Sequence, residues 1–171
     1  MSNGLLKGKK GIIFGALNDM SIAWKVAERA YEEGAEFTLT NAPIAMRMGE
    51  INQLAEKCGN ALVIPADATS VEDLTNLFEK SVEALGGKID FVLHSIGMSP
   101  NVRKNKHYTD LNYDWYHKTM DVSAMSLHKT LSTAMKMDAI NDWGSVVALT
   151  YIAAQRVFPD YNDMADAKSL L

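Results

Sequence analysis

Tyr161 and Lys168 have the types and the spacing to act together on one reacting oxygen atom. Seven residues are almost two turns of an α-helix, so a helix that begins at Tyr161 presents both side chains on one face. A phenol hydroxyl with an ammonium group nearby stabilises an oxyanion in a transition state more than it stabilises a neutral ground state. We therefore take Tyr161 and Lys168 as candidate catalytic residues.

A second stretch, from Gly15 to Ala23, is placed like a phosphate-binding loop between a strand and a helix. Only the first of the three glycines of an ordinary dinucleotide-binding fingerprint is kept, at Gly15. Gly15, Ala16 and the small Ser21 can still provide a tight turn, an approachable backbone and free N–H groups at a helix start. Judged by its glycines alone, a plain strand-to-helix turn is an equally good interpretation.

Alternating strands and helices must position these two stretches. Predicted strands are 11–14, 36–40, 61–64, 91–94 and 145–149, and predicted helices are 22–34, 46–57, 71–85, 112–138 and one from Tyr161 onward. Ser70 and Gly86-Gly87 supply the start and stop signals of the third helix. This order predicts one α/β domain over residues 1–171, with a doubly wound, Rossmann-like parallel sheet in strand order 3-2-1-4-5.

Ligands of such sheets bind at the carboxyl ends of the strands, and several residues there have alternative interpretations. The second strand ends without the acidic residue that binds an NAD ribose, and Arg47 is either a ligand for the 2′-phosphate of NADPH or an exposed helical arginine. Asp67, after the third strand, either contacts a ligand or caps a turn. His94 ends an apolar strand, so we interpret it as a buried structural residue rather than a base.

The combined motifs resemble the enoyl-acyl-carrier-protein reductases, in their NADH-dependent bacterial form, within the short-chain dehydrogenase/reductase superfamily. The resemblance is carried by three segments: the glycine-poor loop that ends in Ser21-Ile22-Ala23, the strand end His94-Ser95-Ile96-Gly97, and the run from Arg156 to Met164 that contains Pro159 and Tyr161-Asn162. Most superfamily members place the lysine four residues after the tyrosine, where this chain has Ala165. The wider gap to Lys168 resembles the enoyl reductases.

The resemblance implies hydride transfer from NADH to the double bond of a trans-2-enoyl thioester, the last reductive step of fatty-acid elongation, with NADPH as the alternative cofactor. It implies that Tyr161 and Lys168 stabilise the enolate, that Lys168 also holds the nicotinamide ribose, and that Tyr151 is a second active-site tyrosine. The implied cofactor contacts are Gly15, Ser21, Ile22, Ala42, Asp67, Ala68, Ser95, Ile96, Gly97 and Lys168. Met98 and Ser99 match positions that border the acyl pocket, although Met98 also suits the core.

The same resemblance implies an acyl-carrier-protein-bound substrate and a homotetramer. Methionines recur at 120, 125, 135 and 137 in the long predicted helix, which indicates packing or a subunit interface. Members of the family also continue past the position of Leu171 with two more strands and a substrate lid, so we expect this chain to be truncated at its C-terminus.

The composition favours small-molecule chemistry. With 47% hydrophobic and 22% charged residues and a net charge of −4, the chain has no basic footprint for nucleic acid or an anionic membrane. It has neither a membrane-length apolar run nor a signal peptide, so we expect a cytoplasmic protein without a metal site. Cys58 is interpreted as a bystander. The alternative functions are a superfamily reductase of ketones or alcohols and a non-catalytic dinucleotide-binding module.

Overall fold

Four parallel strands form the central sheet of the computed structural model, which describes residues 3–48 and 50–171. The strands are β1 (Lys10–Phe14), β2 (Glu36–Thr40), β3 (Ile89–His94) and β4 (Ile140–Ala148), in the order β2-β1-β3-β4. The register pairs Ile12 of β1 with Thr38 of β2 and with Val92 of β3, and Val92 in turn with Val146 of β4. The predicted α/β class and parallel sheet are confirmed.

The predicted third strand, 61–64, is reduced to a single bridge between Val63 and Leu39. Leu39 donates to Leu62 O at 2.9 Å and its carbonyl accepts from Ile64 N at 2.9 Å. The segment lies beside β2, which is the outer position that the order 3-2-1-4-5 assigns to it. The position of segment 61–64 next to β2 was therefore predicted correctly. Its length as a strand was not, because the segment pairs with only the last residues of β2.

Helices cover both faces of the sheet, and the chain's own start and stop signals bound several of them. They are α1 (Ile22–Glu32), α2 (Glu50–Lys57), α3 (Val71–Leu85), α4 (Pro100–Arg103), α5 (Tyr113–Met120), α6 (Ser126–Lys136) and α7 (Asn162–Leu170). Ser70 Oγ accepts from Asp73 N at 3.2 Å at the start of α3, and Gly86 ends it with a φ of 66°. Met1, Ser2 and, within the predicted helix 46–57, Gly49 lie outside the described residues.

The long predicted helix 112–138 forms with one irregularity. Asn112 caps its start by accepting from Trp115 N at 3.0 Å, and a π-helical turn, Asp121–Met125, separates α5 from α6. Ser123, inside this wider turn, exchanges hydrogen bonds with the backbone of Met98: its Oγ accepts from Met98 N at 2.9 Å and donates to Met98 O at 3.1 Å. Such turns are frequent at functional sites, and this one docks the helix on the residues that follow β3.

Two hydrophobic clusters hold the layers together. One packs α1 and α2 on β1 and β2 through Ile13, Trp24, Leu39 and Leu54, and the other packs α3 and α6 on the opposite face. Cys58 belongs to the first cluster, and burial raises the pKa of its thiol to about 11, as expected for a bystander. In the part of the chain that the structure describes, no helix has the length and apolar character needed to cross a membrane.

Candidate active site

The carboxyl ends of β1, β2 and β3 open into two cavities that share part of their walls; together we name them the strand-end cleft. The larger has a volume of about 350 Å³. The residues common to both walls are Gly15, Asn41, Ala42, Asp67, Ile96 and Val122, and Ala68, Ser95, Gly97 and Met98 each line one of the two. The structure therefore brings most of the predicted cofactor contacts to one place.

Gly15 lies where two loops touch. Its φ is 89°, and a Cβ built on it would lie 1.9 Å from the backbone oxygen of Ser95. Its N–H donates to Thr40 O at 3.0 Å, which ties it to the end of β2. No side chain fits here, so the first glycine of the fingerprint is required by a close approach of two backbones.

The rest of this loop is shaped by Ser21. Its Oγ accepts hydrogen bonds from the N–H groups of Leu17 and Asn18, both at 3.0 Å. The hydroxyl thus organises the loop in place of the missing glycines. Ile22, which the resemblance assigns to the cofactor, is 64% exposed and faces a hollow with Leu6 and Val26 rather than lining the strand-end cleft.

Asp67 caps a turn and also lies in the wall of the cleft, so a ligand contact stays a prediction. Its Oδ1 accepts from Thr69 N at 2.9 Å and from Thr69 Oγ1 at 2.7 Å, so the carboxylate does cap a turn. The residue also lines both cavities of the cleft. The turn cap uses Oδ1 alone. Within residues 3–48 and 50–171, the other carboxylate oxygen of Asp67 makes no hydrogen bond, so it is available to a ligand.

Lys168 reaches the cleft from α7. Its Nζ donates to Leu149 O at 2.6 Å and lies 3.4 Å from Ile96 O, and a Cβ on Gly97 would lie 3.7 Å from Nζ. The residue is 9% exposed, and this burial lowers the pKa of its ammonium group. The helix therefore delivers a desolvated cationic side chain to the residues that follow β3 and β4, next to Gly97.

Tyr151 and Tyr161 meet edge to face. Their ring centroids are 5.1 Å apart at an interplanar angle of 62°. Burial, and secondarily the neighbouring Tyr151, raise the pKa of the Tyr161 phenol, so it stays protonated and can donate a hydrogen bond at neutral pH. Tyr161 directly precedes α7 instead of beginning it, between two residues with left-handed backbone, Asp160 with a φ of 62° and Asn162 with a φ of 39°.

Residues 15–171 match the sequence model of a family described as "Enoyl-(Acyl carrier protein) reductase". The chain belongs to this family.

Named relatives and solved structures agree with this assignment. The "Enoyl-[acyl-carrier-protein] reductase [NADH] FabI" of Rickettsia bellii is 37% identical over 171 residues, which is 100% of this chain and 64% of that protein. The crystal structure of FabI from Alistipes finegoldii is 68% identical with a TM-score of 0.95, and covers 98% of this chain and 64% of that one. A FabI–NADH complex from the same organism is also 68% identical with a TM-score of 0.95, and covers 98% of this chain and 59% of that one. The chain thus spans 64% of the length of the Rickettsia relative.

His94, which a family motif contains, is a structural residue in this member. It is fully buried, and its Nε2 lies 2.8 Å from Ser126 Oγ. Ser126 already donates its one proton to Val122 O at 2.7 Å, so Nε2 is the donor and Nδ1 is an unprotonated acceptor with no partner in the described part of the chain. Burial, and secondarily the Lys168 charge, lower the pKa of His94 to about 4, so the ring is neutral.

The two candidate substrate residues, Met98 and Ser99, lie in different surroundings. Met98 lines the strand-end cleft. Ser99 is 3% exposed; its Oγ donates to Asp163 Oδ1 at 2.7 Å and accepts from Val102 N at 3.0 Å. The hydroxyl of Ser99 thus belongs to a buried network, and a contact between Ser99 and substrate stays a prediction that this geometry does not favour.

The sequence analysis missed several residues around the family's site. Arg103 and Lys118 line the cleft together with Met98. Neither follows the end of a strand, where ligand-binding residues of such sheets are expected. Asn41 does lie at a strand end: its Nδ2 donates to Ala16 O at 3.1 Å and its Oδ1 accepts from Ala42 N at 2.8 Å. A further cavity of about 520 Å³ lies between α7 and the segment 153–160, and Phe158, which packs on Tyr151, lines it.

Proposed function

We propose that this chain carries the dinucleotide-binding and catalytic part of an enoyl-acyl-carrier-protein reductase. The reaction adds the hydride of NADH to the β-carbon of a trans-2-enoyl thioester and a proton to its α-carbon, in the last reductive step of fatty-acid elongation. One observation carries the proposal: Lys168, seven residues after Tyr161, reaches Ile96 and Gly97 in the strand-end cleft while Tyr161 packs on Tyr151.

The cleft suits a dinucleotide because backbone and small side chains form its walls where phosphates and sugars must pass closely. Gly15 lets the loop after β1 lie directly against the backbone of Ser95, and Gly97 presents bare backbone to the cleft. We assign the adenine end to Asp67 and Ala68, the ribose to Ala42, the pyrophosphate to the loop from Gly15 to Ser21, and the nicotinamide end to Ser95, Ile96, Gly97 and Lys168. A contact between Ile22 and the cofactor stays a prediction that its position outside the cleft does not favour. When bound, NADH supplies the hydride. Arg47 is exposed in a 3-10 turn and is the residue that a 2′-phosphate of NADPH would meet.

Tyr161 stabilises the charge that hydride addition creates. As the carbon–carbon double bond is lost, electrons move onto the thioester oxygen, and a phenol O–H placed there donates a stronger hydrogen bond to the enolate than to the neutral thioester. The raised pKa of Tyr161 keeps this proton on the phenol. Lys168 adds a positive charge in a poorly hydrated site and positions the ribose. Tyr151, 41% exposed and in contact with Tyr161, orients the substrate or gives the final proton.

The protein's assembly and location follow from the same assignment. The substrate is carried by an acyl carrier protein, and Met98 borders the acyl chain. The exposed Met125 and Met135, 40% and 71% accessible, support a subunit interface along α6 in a homotetramer. We place the protein in the cytoplasm and treat residues 1–171 as one domain.

The deciding experiment follows NADH absorbance with a crotonyl thioester. It compares the 171-residue chain with a chimera that adds the C-terminal third of Alistipes finegoldii FabI, and repeats both with NADPH. The proposal expects NADH-dependent turnover by the chimera, abolished by a Tyr161→Phe and Lys168→Ala double variant. NADH binding without turnover in the chimera would instead establish a non-catalytic binding module, and turnover of ketones alone would establish another superfamily reductase.

A further inference from the structure

Asp163 is a fully buried carboxylate at the start of α7. Its Oδ1 accepts from Ser99 Oγ at 2.7 Å, and its Oδ2 accepts from Asn101 Nδ2 at 2.9 Å. Thr119 Oγ1 lies 2.8 Å from both Asp163 Oδ2 and Trp115 O, and the carboxylate is the stronger acceptor for its one proton. No ion pair to Asp163 occurs in the described part of the chain.

A buried carboxylate held only by neutral donors is an expensive way to stabilise a fold, since burial strongly disfavours the charged form. Such groups persist where their hydrogen bonds fix a geometry. The donors here come from separate elements: Ser99 lies just before α4, Asn101 within α4, and Thr119 in α5. Asp163 therefore joins the residues after β3, and the helix that packs on them, to the first turn of α7.

That turn is the one that carries Tyr161. Asp163 is two residues further on, and between them Asn162 has a φ of 39° and donates through Nδ2 to Lys106 O. Asp160, on the other side of Tyr161, has a φ of 62°. Left-handed backbone at two non-glycine residues is unfavourable and persists only where surrounding contacts hold it. Asn162 and Asp163 supply those contacts, both to the segment 99–112.

The segment 99–112 is itself fixed at both ends. Asn101 Oδ1 accepts from Asn112 N at 3.0 Å, and Nδ2 donates to Asn112 O at 3.1 Å as well as to Asp163. Ser99 Oγ caps α4 while it donates to Asp163. Ser99 also directly follows Met98, whose backbone is held by Ser123 and whose side chain lines the cleft. One set of hydrogen bonds thus runs from the cleft wall to the Tyr161 turn.

We propose that Asp163 is a positioning residue that sets the Tyr161 hydroxyl relative to the Gly97–Met98 wall of the cleft. The proposal rests on the proposed reductase function for its kinetic consequence, but its geometric content does not depend on turnover. Family membership does not assign this role, because Asp163 fills the variable position between Tyr161-Asn162 and Met164 in the family pattern.

The test compares Asp163→Ala and Asp163→Asn with Asp166→Ala. Asp166 is the matched control because it also lies on α7 and is bonded to α5, accepting from Tyr116 Oη at 3.1 Å, but has no contact with Ser99 or Asn101. Asparagine keeps an acceptor for Asn101 and Thr119 and can donate to Ser99, whereas alanine removes the acceptor that all three share and leaves Thr119 with Trp115 O and Asn101 with Asn112 O.

In the active chimera, Asp163→Ala is expected to lower kcat by at least about tenfold, because small misplacements of a reacting group are costly, while the Kd for NADH changes little. Asp163→Asn should recover most of the loss, and Asp166→Ala should leave kcat near that of the parent. If Asp163→Ala does not fold, Ser99→Ala and Thr119→Val each remove one bond and should give smaller losses of the same kind.

A measurement without turnover tests the geometry alone. Spectrophotometric titration of the tyrosines, with Tyr161→Phe identifying the contribution of Tyr161, should show the high pKa of this phenol falling toward that of an exposed tyrosine in Asp163→Ala but not in Asp166→Ala. An unchanged Tyr161 titration, or equal effects of the Asp163 and Asp166 variants on kcat and NADH binding, would overturn the proposal. If the titration shifts but no variant turns over, the reductase assignment fails and the positioning role stands.

Discussion

The loop at residues 15–21, part of which lines the strand-end cleft, and the turn around Tyr161 are held in opposite ways. In the loop, Ser21 Oγ accepts from Leu17 and Asn18, so the hydrogen bonds close within five residues. In the turn, Asp163 is held by Ser99 and Asn101, 64 and 62 residues away. A loop stabilised locally keeps its shape with little help from the fold, whereas the turn is only as well positioned as the packing of α4 and α5.

The largest expected effect tests the tightest tertiary contact of the loop, that between Gly15 and Ser95. Gly15→Ala would place a Cβ 1.9 Å from Ser95 O at a φ of 89°, so β1 and β3 must separate at their carboxyl ends. Gly86→Ala is the control, since Gly86 has a φ of 66° and open space around it. It should cost about 1 kcal/mol in the free energy of unfolding. We expect Gly15→Ala to cost several times more and to abolish NADH binding, measured by urea unfolding and fluorescence titration; equal costs would contradict the close approach.

The second prediction distinguishes the role of Tyr161, in the turn, from that of Lys168, in α7. Tyr161→Phe keeps the ring contact with Tyr151 but removes the hydroxyl, so kcat of the active chimera should fall by roughly a hundredfold or more with little change in the Kd for NADH. Lys168→Ala removes the cation at Ile96 and Gly97 and should raise that Kd as well. Steady-state kinetics and NADH titration check both. The same loss of NADH affinity in both variants would show that the roles are not divided.

The third prediction concerns His94, the buried last residue of β3. Its folded pKa of about 4 is below the ordinary 6.5, so the unfolded chain binds a proton that the native chain does not between these values. The contribution of His94 to stability is therefore fully present above pH 6.5 and is lost as the pH falls from 6.5 toward 4, by at most about 3 kcal/mol. Urea unfolding at pH 7 and pH 5 should show this loss, and His94→Gln should reduce it. The same pH dependence in the variant would exclude His94 as its source.

The same contrast explains how much of the site was predictable. Gly15, Asp67 and Ser95 to Met98 lie directly after strand-like runs, where ligands of such sheets bind, and helix spacing predicts a shared face for Tyr161 and Lys168. Local patterns therefore indicate the positions, whereas the role of each residue is implied by the family resemblance. Asp163 has no such signal: nothing near it in sequence indicates that Ser99, Asn101 and Thr119 will surround it. Arg103 and Lys118 reach the cleft only because α4 and α5 pack beside Met98. Residues that tertiary packing brings to the site cannot be identified from the periodicity of the sequence.

The smallest expected effect tests whether the loop is as self-contained as its hydrogen bonds indicate. Ser21→Ala leaves the N–H groups of Leu17 and Asn18 without their acceptor, and both are only partly buried, so water can replace part of the loss. We expect about 1 kcal/mol, seen as a roughly fivefold weaker Kd for NADH, with an unchanged midpoint of thermal unfolding. Ser21→Thr keeps the oxygen and should restore binding. Since these bonds are local, kcat at saturating NADH should not change. A drop in kcat or in the midpoint of thermal unfolding would mean that the loop and the Tyr161 turn are coupled through Ser95 and Gly97. The two segments would then differ less than their separate hydrogen bonds indicate.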